Sequence, residues 1–168
     1  MPPRAWCAAI DAPGRWLRAR RAGAPCSRSG TSAPRFAARA ATAADARRLG
    51  VAAGSRVLAT TTRHLSDGVA VQLEDRLVHL GAAPAAAEEP FAAAPPGRWL
   101  LDHVPWTQAE HAISAENAPP RVAARLGIAP GAACLVVERR TWNGDAPVTF
   151  ARLWHPGTRH RLVGRFAA

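Results

Sequence analysis

The sequence predicts an α+β fold in which short helices accompany a mostly antiparallel sheet of about six strands. The main observation is an internal repeat: residues 49–81 are echoed by residues 126–157, and matching residues such as Leu49 and Leu126 are 77 positions apart. Each copy reads as a helix end, a glycine-containing loop, a strand, a tight turn and a returning strand. Two copies are too few for a solenoid, so the repeat predicts one pseudo-symmetric domain.

The elements of the first copy follow from local signals. Residues 42–50 predict a helix, because a threonine suited to the N-cap precedes good helix formers and a glycine ends the run. Residues 55–65 and 70–78 are rich in strand-forming residues, and Asp67 begins an Asp-Gly pair between them. This copy therefore predicts a helix followed by a β-hairpin.

The rest of the chain is assigned on the same grounds. A proline pair starts the second copy, and apolar residues alternate along its strands. The remaining predicted elements, in order, are a loop or weak helix over residues 81–96, a short helix over 97–103, a strand over 107–117, a helix over 120–126, and strands over 132–142, 147–155 and 160–166.

Residues 1–41 are predicted to form a basic, poorly ordered segment, with at most one short helix over residues 15–22. All 22 basic residues are arginine, and the formal net charge is +10. Residues 1–48 carry ten arginines against two acids, whereas residues 49–168 carry twelve against ten. The positive charge therefore belongs mainly to the N-terminal segment, and residues 42–168 are the predicted domain.

Composition and motifs argue against several classes of protein. No run approaches the ~18 apolar residues needed to cross a bilayer, and the first residues do not form a secretory signal, so a cytoplasmic protein is expected. Three cysteines without a CxxC pair predict no disulfide framework, and Cys134 is expected to be a buried strand residue. The histidines lack metal-binding spacing, and no nucleophile-elbow or phosphate-loop motif occurs. We expect no metal, no cofactor and no enzymatic activity.

Polar side chains interrupt the predicted strands, where apolar alternation would bury more surface. On a strand, Glu74 and Arg76 share one face and Asp75 lies on the other, while Thr149 and His155 also share a face. These residues form either cross-strand ion pairs on a solvated face or a pocket that holds a small anion, and their clustering favours the pocket. The other polar strand residues are Arg63, His64, Glu138, Arg140 and Arg152.

The chain resembles the UTRA effector-binding domain of GntR-type transcription regulators, and most of all the histidine-utilisation repressors among them. The motifs are QLEDR at residues 72–76, VERRTW at 137–142 and HPG at 155–157. The resemblance extends over residues 42–166. It implies a chorismate-lyase-like fold, a homodimer and a small-molecule inducer, which for this branch is urocanate or a related acid of the histidine pathway.

The resemblance also implies effector-binding positions. It assigns the acidic ligand residue to Glu74, the C-terminal strand contacts to Thr149 and His155, and the outgoing-strand contact to Arg63 or His64. The candidate set is completed by Arg76, Trp99, Glu138 and Arg140. The chain departs from the family pattern at Thr61 and His160, where an arginine and a tyrosine are common, and at residues 92–96, which lack hydroxyl groups.

Other interpretations stay open. Family members carry a winged helix-turn-helix before the effector domain, and residues 1–41 do not resemble one, so a truncated or misassigned reading frame is favoured over a free-standing sensor. DNA contact is expected only through a helix-turn-helix outside this chain, and no membrane contact is expected. The alternatives are a chorismate-lyase-type enzyme on the same fold and a nucleic-acid binder that acts through residues 1–40.

Overall fold

The computed structural model describes residues 6–10, 16–18, 29–32 and 35–163. The helices are α1 (Ala43–Leu49), α2 (Pro96–His103) and α3 (Pro120–Leu126), with a 3-10 turn at Pro84–Ala87. The strands are β1 (Trp6–Ile10), β2 (Trp16–Arg18), β3 (Ser29–Thr31), β4 (Arg35–Ala40), β5 (Arg56–Ser66), β6 (Val69–His79), β7 (Gln108–Asn117), β8 (Ala133–Asn143), β9 (Ala146–Pro156) and β10 (His160–Val163).

The internal repeat is confirmed by the bounds of the elements. α1, β5 and β6 recur as α3, β8 and β9, and both ends of each element are displaced by 77 residues. One seven-stranded sheet contains both copies in the order β3-β5-β6-β9-β8-β7, and β4 also pairs with β5. The two copies meet where β6 pairs with β9, and there Asp75 lies opposite its repeat counterpart Arg152.

Local signals define the two repeated helices. Thr42 caps α1 in a capping box: Thr42 Oγ1 accepts the Asp45 N–H at 3.2 Å, and the Asp45 carboxylate accepts the Thr42 N–H at 3.0 Å. Gly50 and Gly127 end α1 and α3 with φ of 77° and 63°. Glycine adopts this left-handed conformation without steric cost, so each helix stops at the same place in its copy.

The helices cover both faces of the sheet. Leu49 of α1 packs against Leu77 of β6, and α3 packs around Leu73. Trp99 of α2 packs on the opposite side, against Val78. We call the first side the α1/α3 face and the second the α2 face; successive residues of β6 alternate between them.

Each repeated hairpin contains a shift of one residue in its pairing. The shift in β5–β6 falls between His64 and Leu65, and Val71 has no residue opposite it. The shift in β8–β9 leaves Val148, the repeat counterpart of Val71, without an opposite residue. Because such a bulge changes which residues of the two strands share a face, it determines which polar side chains meet across the sheet.

Four sequence predictions are corrected by the structure. The predicted helix over residues 15–22 is a strand at Trp16–Arg18, its described part. β3 and β4 fall in the segment that was predicted to be poorly ordered, yet both pair with β5, so the sheet begins before the predicted boundary at residue 42. The main sheet has seven strands in the described part of the chain, and the last predicted strand, β10, joins β1 and β2 in a separate sheet instead. The end of the last predicted strand, residues 164–166, lies outside the described residues.

Candidate functional site

A buried ion pair lies at the centre of the α2 face. Glu74 and Arg76 on β6 are 4% and 5% exposed, and Arg76 Nε donates to Glu74 Oε1 at 2.6 Å. Arg76 Nη1 also donates to Thr149 Oγ1 on β9 at 3.0 Å. The sequence predicted that Glu74 and Arg76 share a face, and the structure adds Thr149 as the residue that links them to the second copy of the repeat.

His64 of β5 lies beside this pair. His64 Nε2 is 3.3 Å from Glu74 Oε2, which is within ion-pair distance, although the two groups are not aligned for a hydrogen bond. Burial would raise the pKa of Glu74, but the neighbouring Arg76 and His64 outweigh burial and hold this pKa well below its ordinary value. Glu74 is therefore a buried carboxylate that stays ionised.

The start of α2 covers the ion pair. A Cβ atom placed on Gly97 would lie 2.8 Å from Arg76 Nη2 and 3.5 Å from Glu74 Oε1, so a side chain at this position would displace the guanidinium. Trp99, a candidate from the sequence, instead packs in the core, with its ring stacked on His103 at a centroid distance of 4.8 Å. The start of α2 therefore lies directly against the ion pair.

His155 also lies on the α2 face, near the end of β9. Its ring stacks on His160 at a centroid distance of 4.1 Å, and its Nδ1 is 3.3 Å from the Leu135 carbonyl oxygen. Burial lowers the pKa of His155 to about 3, and the neighbouring His160 acts in the same direction. His155 is therefore neutral at physiological pH and can donate or accept one hydrogen bond at each ring nitrogen.

The structure does not place the candidates Arg63, Glu138 and Arg140 near the Glu74–Arg76 pair. Pairing places Arg63 opposite Leu73, and Glu138 opposite Arg152, all on the α1/α3 face. Glu138 lies 3.3 Å from Arg152, and Arg140 bonds Glu110 at 2.8 Å. These three candidates cannot contact a ligand held at Glu74, because the sheet lies between them.

The α1/α3 face has its own polar cleft of about 620 Å³, between α1 and α3. Ion pairs such as Arg121–Asp75 at 3.0 Å and Arg152–Glu116 at 2.6 Å lie along it. The side chains of Arg121 and Asp75 are 62% and 28% exposed, so water screens their attraction. These ion pairs of the cleft are therefore more exposed to solvent than the Glu74–Arg76 pair.

Three polar residues of the α2 face were missed by the sequence reasoning. Thr60 lies opposite Arg76 and Thr62 opposite Glu74. Arg139 lies opposite Ala151, and burial lowers its pKa to about 10, with the charge of Arg76 acting in the same direction. The sequence shows three consecutive threonines at residues 60–62. It does not show the strand pairing that places Thr60 and Thr62 on the α2 face.

Two further classes of feature are absent from the described residues. They contain no group of three or more His, Cys, Asp or Glu side chains placed to hold a metal ion. Within the same part of the chain, no helix is long and apolar enough to cross a membrane. Cys134 is free and buried, as the sequence predicted.

The pseudo-symmetric antiparallel sheet, helices on both faces and a charged pair under one helix define the class of domain. Residues 28–161 match the family described as UTRA domain, and this chain belongs to that family. The crystal structure of the C-terminal domain of the histidine utilization repressor from Pseudomonas syringae pv. tomato is similar: it is 37% identical, with a TM-score of 0.79, over 84% of this chain and 100% of that one. The effector domain of PhnF from Mycobacterium smegmatis, at 22% identity and a TM-score of 0.74 over 84% of this chain and 89% of that one, supports the fold.

Curated relatives are also similar to this chain. The histidine utilization repressor of Pseudomonas putida is 44% identical over 114 residues, which are 68% of this chain and 46% of that protein. The histidine utilization repressor of Klebsiella aerogenes is 36% identical over 120 residues, 71% of this chain and 50% of that protein. The chain thus spans about half the length of these relatives.

Proposed function

We propose that this chain is the small-molecule-sensing domain of a transcriptional repressor of histidine utilisation, and that its inducer is urocanate or a related acid. The observation that carries the proposal is the Glu74–Arg76 pair on the α2 face, which is almost completely buried. A buried ion pair adds little to stability compared with apolar residues of the same size, so its presence calls for another role. Relatives named as histidine utilization repressors support the choice of effector class.

The chemistry of the pair fits a ligand with one acidic end and one N–H end. Arg76 can exchange Glu74 for the carboxylate of a ligand, because a guanidinium binds either carboxylate in the same geometry. Glu74, ionised and freed from Arg76, can then accept the N–H of an imidazole ring. Urocanate carries both groups. His64 and Thr149, which already contact the pair, would complete the site.

The effect on DNA is assigned to the whole protein. The resemblance implies a homodimer whose helix-turn-helix domains read DNA, with the present domain as the sensor. Effector binding would shift the dimer between two arrangements that space the DNA-reading helices differently, and operator affinity would fall. Arg63, Glu138 and Arg140, which lie on the other face, have no part in the ligand site of this proposal.

The proposed role is regulatory rather than enzymatic. The relatives that cover this chain are named as repressors. The competing function, a chorismate-lyase-type enzyme on the same fold, requires that the chain convert chorismate. Incubation of the chain with chorismate followed by product analysis distinguishes the two, since the sensor predicts no conversion.

A thermal-shift screen of urocanate, histidine and other acids of the pathway tests the proposal. Urocanate should raise the melting temperature in a concentration-dependent way, because a ligand that binds only the folded state stabilises it. The compounds should be unchanged after the measurement. A screen in which no histidine-pathway compound stabilises the chain would contradict the assignment of the effector.

A further inference from the structure

Two threonine hydroxyls on the α2 face have no hydrogen-bond partner among the described residues. Thr62 is 0% exposed and Thr60 is 3% exposed, and the Oγ1 atom of each is buried and unpaired. Leaving a buried hydroxyl unpaired costs roughly 1–3 kcal/mol, so nearly all such groups in native proteins have a partner. Two unpaired hydroxyls on one strand, both opposite residues of the buried ion pair, indicate a binding site whose ligand supplies the missing hydrogen-bond partners.

The positions of the two hydroxyls give them different neighbours. Thr60 lies directly opposite Arg76, and Thr62 directly opposite Glu74. Residues two apart on a strand face the same way at a spacing of about 7 Å. Because Thr60 faces the Arg76 guanidinium and Thr62 faces the Glu74 carboxylate, the two hydroxyls lie beside groups of opposite charge, so a ligand that reaches both presents a different end to each.

We propose that Thr60 and Thr62 are specificity-determining ligand contacts that read the two ends of an extended effector about 7 Å apart. The anionic end lies between Thr60 and Arg76, where the hydroxyl donates to it. The N–H-bearing end lies between Thr62 and Glu74, where the hydroxyl accepts from it. The ligand class is a monocarboxylate whose other end is an N–H heterocycle or an ammonium group.

This inference rests on the proposed function and deepens it, because it assigns new residues and an orientation to the same site. It goes beyond the positions carried over from the family, which did not include Thr60 or Thr62. Charge supports the orientation: strand pairing places Arg76 and Arg139 in one row with Thr60, because Arg76 lies opposite Ala151 and Ala151 lies opposite Arg139. A carboxylate is favoured at that end and disfavoured beside Glu74.

The test substitutes each threonine by valine, which has the same shape and lacks the hydroxyl. Calorimetric titration with urocanate should give a dissociation constant weaker by about tenfold for Thr60→Val and for Thr62→Val, as expected for one lost hydrogen bond to a ligand. The unfolding free energy of the unliganded chain should be unchanged or higher in both, because an unpaired buried hydroxyl has been removed. Thr60→Ser and Thr62→Ser, which keep the hydroxyl, should restore most of the affinity.

Thr61→Val is the matched control. Thr61 lies between the two and donates to Asp75 Oδ1 at 2.8 Å on the opposite face. Its loss should lower the unfolding free energy and leave the affinity for urocanate unchanged. Thr61→Val should therefore lower stability without weakening binding, whereas Thr60→Val and Thr62→Val should weaken binding without lowering stability.

The double variant Thr60→Val/Thr62→Val tests whether the two hydroxyls contact separate ends. The two losses in affinity should multiply, because contacts to independent groups are additive in free energy. A combined loss well below the product would overturn the two-ended arrangement. Unchanged affinity in both single variants, while wild-type protein still binds urocanate, would overturn the assignment of the threonines and leave the proposed function standing. Absence of binding to wild-type protein would contradict the proposed function and, with it, this inference.

Discussion

The two faces of the sheet carry the same kinds of charged residue in opposite surroundings. On the α2 face, Glu74 and Arg76 are almost completely buried under the start of α2. On the α1/α3 face, the Asp75–Arg121 pair lines an open cleft, and its side chains are 28% and 62% exposed. Glu74 and Asp75 are consecutive residues, so a single step along β6 separates a shielded charge from a solvated one.

Binding energy and specificity depend on this difference in exposure. Water screens the exposed pairs, which contribute at most about 1 kcal/mol each and discriminate weakly between ligands. A buried pair must be satisfied in full, so a ligand that enters has to replace each contact that it breaks. For this reason we propose the buried Glu74–Arg76 pair, rather than the cleft, as the location of the effector.

Removal of the arginine from each ion pair should give the largest difference in unfolding free energy between the two faces. Arg76→Met leaves the Glu74 carboxylate buried without its partner, and the free energy of unfolding should fall by about 3–5 kcal/mol. Arg121→Met, which removes the exposed partner of Asp75, should cost about 1 kcal/mol or less. Chemical denaturation at pH 7 measures both.

The double variant Glu74→Gln/Arg76→Met provides the control for this comparison. It removes the uncompensated charge and should recover most of the stability lost in Arg76→Met. If Arg76→Met and Arg121→Met cost the same, the α2 face does not shield its ion pair from water.

Acid should destabilise the α2 face through His155 before it affects the buried carboxylate. The pKa of His155 is lowered from 6.5 to about 3, so its contribution is complete above pH 6.5 and is lost as the pH falls, because only the unfolded state takes up the proton. The loss should approach 1.4 kcal/mol per pH unit. Between pH 6.5 and 4.5, Glu74 does not add to the pH dependence of the unfolding free energy. Because its pKa is lowered in the folded state, its stabilising contribution is lost only below the ordinary pKa of 4.5.

Denaturation of His155→Gln over the same pH range measures this contribution. Its unfolding free energy should depend on pH less steeply than that of the wild-type chain, by about one proton. His160 and His111, whose pKa values are also lowered by burial, account for the dependence that remains. Equal slopes in the two proteins would mean that His155 is protonated in the folded state.

A methyl group at Gly97 should disturb the α2 face more mildly. Gly97→Ala places a Cβ atom against the Arg76 guanidinium, which is held by Glu74 and Thr149, and should cost about 1–3 kcal/mol. Gly30→Ala on β3 is the control, since its Cβ would meet nothing within 4 Å. Thermal denaturation should lower the melting temperature of the first variant only; equal effects would show that α2 does not press on the pair.

Much of the fold could be predicted because its signals are local and occur twice. Helix caps, glycine-ended helices and hairpin turns located α1, α3 and four long strands to within about a residue. β4 was missed because its sequence, RFAARA, has no alternation and all its residues are exposed. Its strand conformation comes from pairing with β5, a long-range contact that local patterns do not encode.

The sequence predicted which polar residues share a face along one strand, but it did not predict which residues meet across neighbouring strands. Alternation placed Glu74 with Arg76, and Thr149 with His155, on shared faces, as the structure has them. Grouping across strands failed for Arg63, Glu138 and Arg140 because it depends on register. Without the bulge at Val71, the turn register would place Thr61 opposite Glu74; with it, Thr62 takes that position.

Calorimetric titration of urocanate onto the wild-type chain, Glu74→Gln and Asp75→Asn tests the central claim most directly. The substitutions are matched in chemistry, affect consecutive residues, and differ only in the face on which the carboxylate lies. Glu74→Gln should weaken binding at least tenfold, because a buried charged contact to the ligand is lost, and Asp75→Asn should bind like the wild-type chain. Weakened binding in Asp75→Asn with unchanged binding in Glu74→Gln would place the effector in the cleft of the α1/α3 face and contradict a binding site on the α2 face.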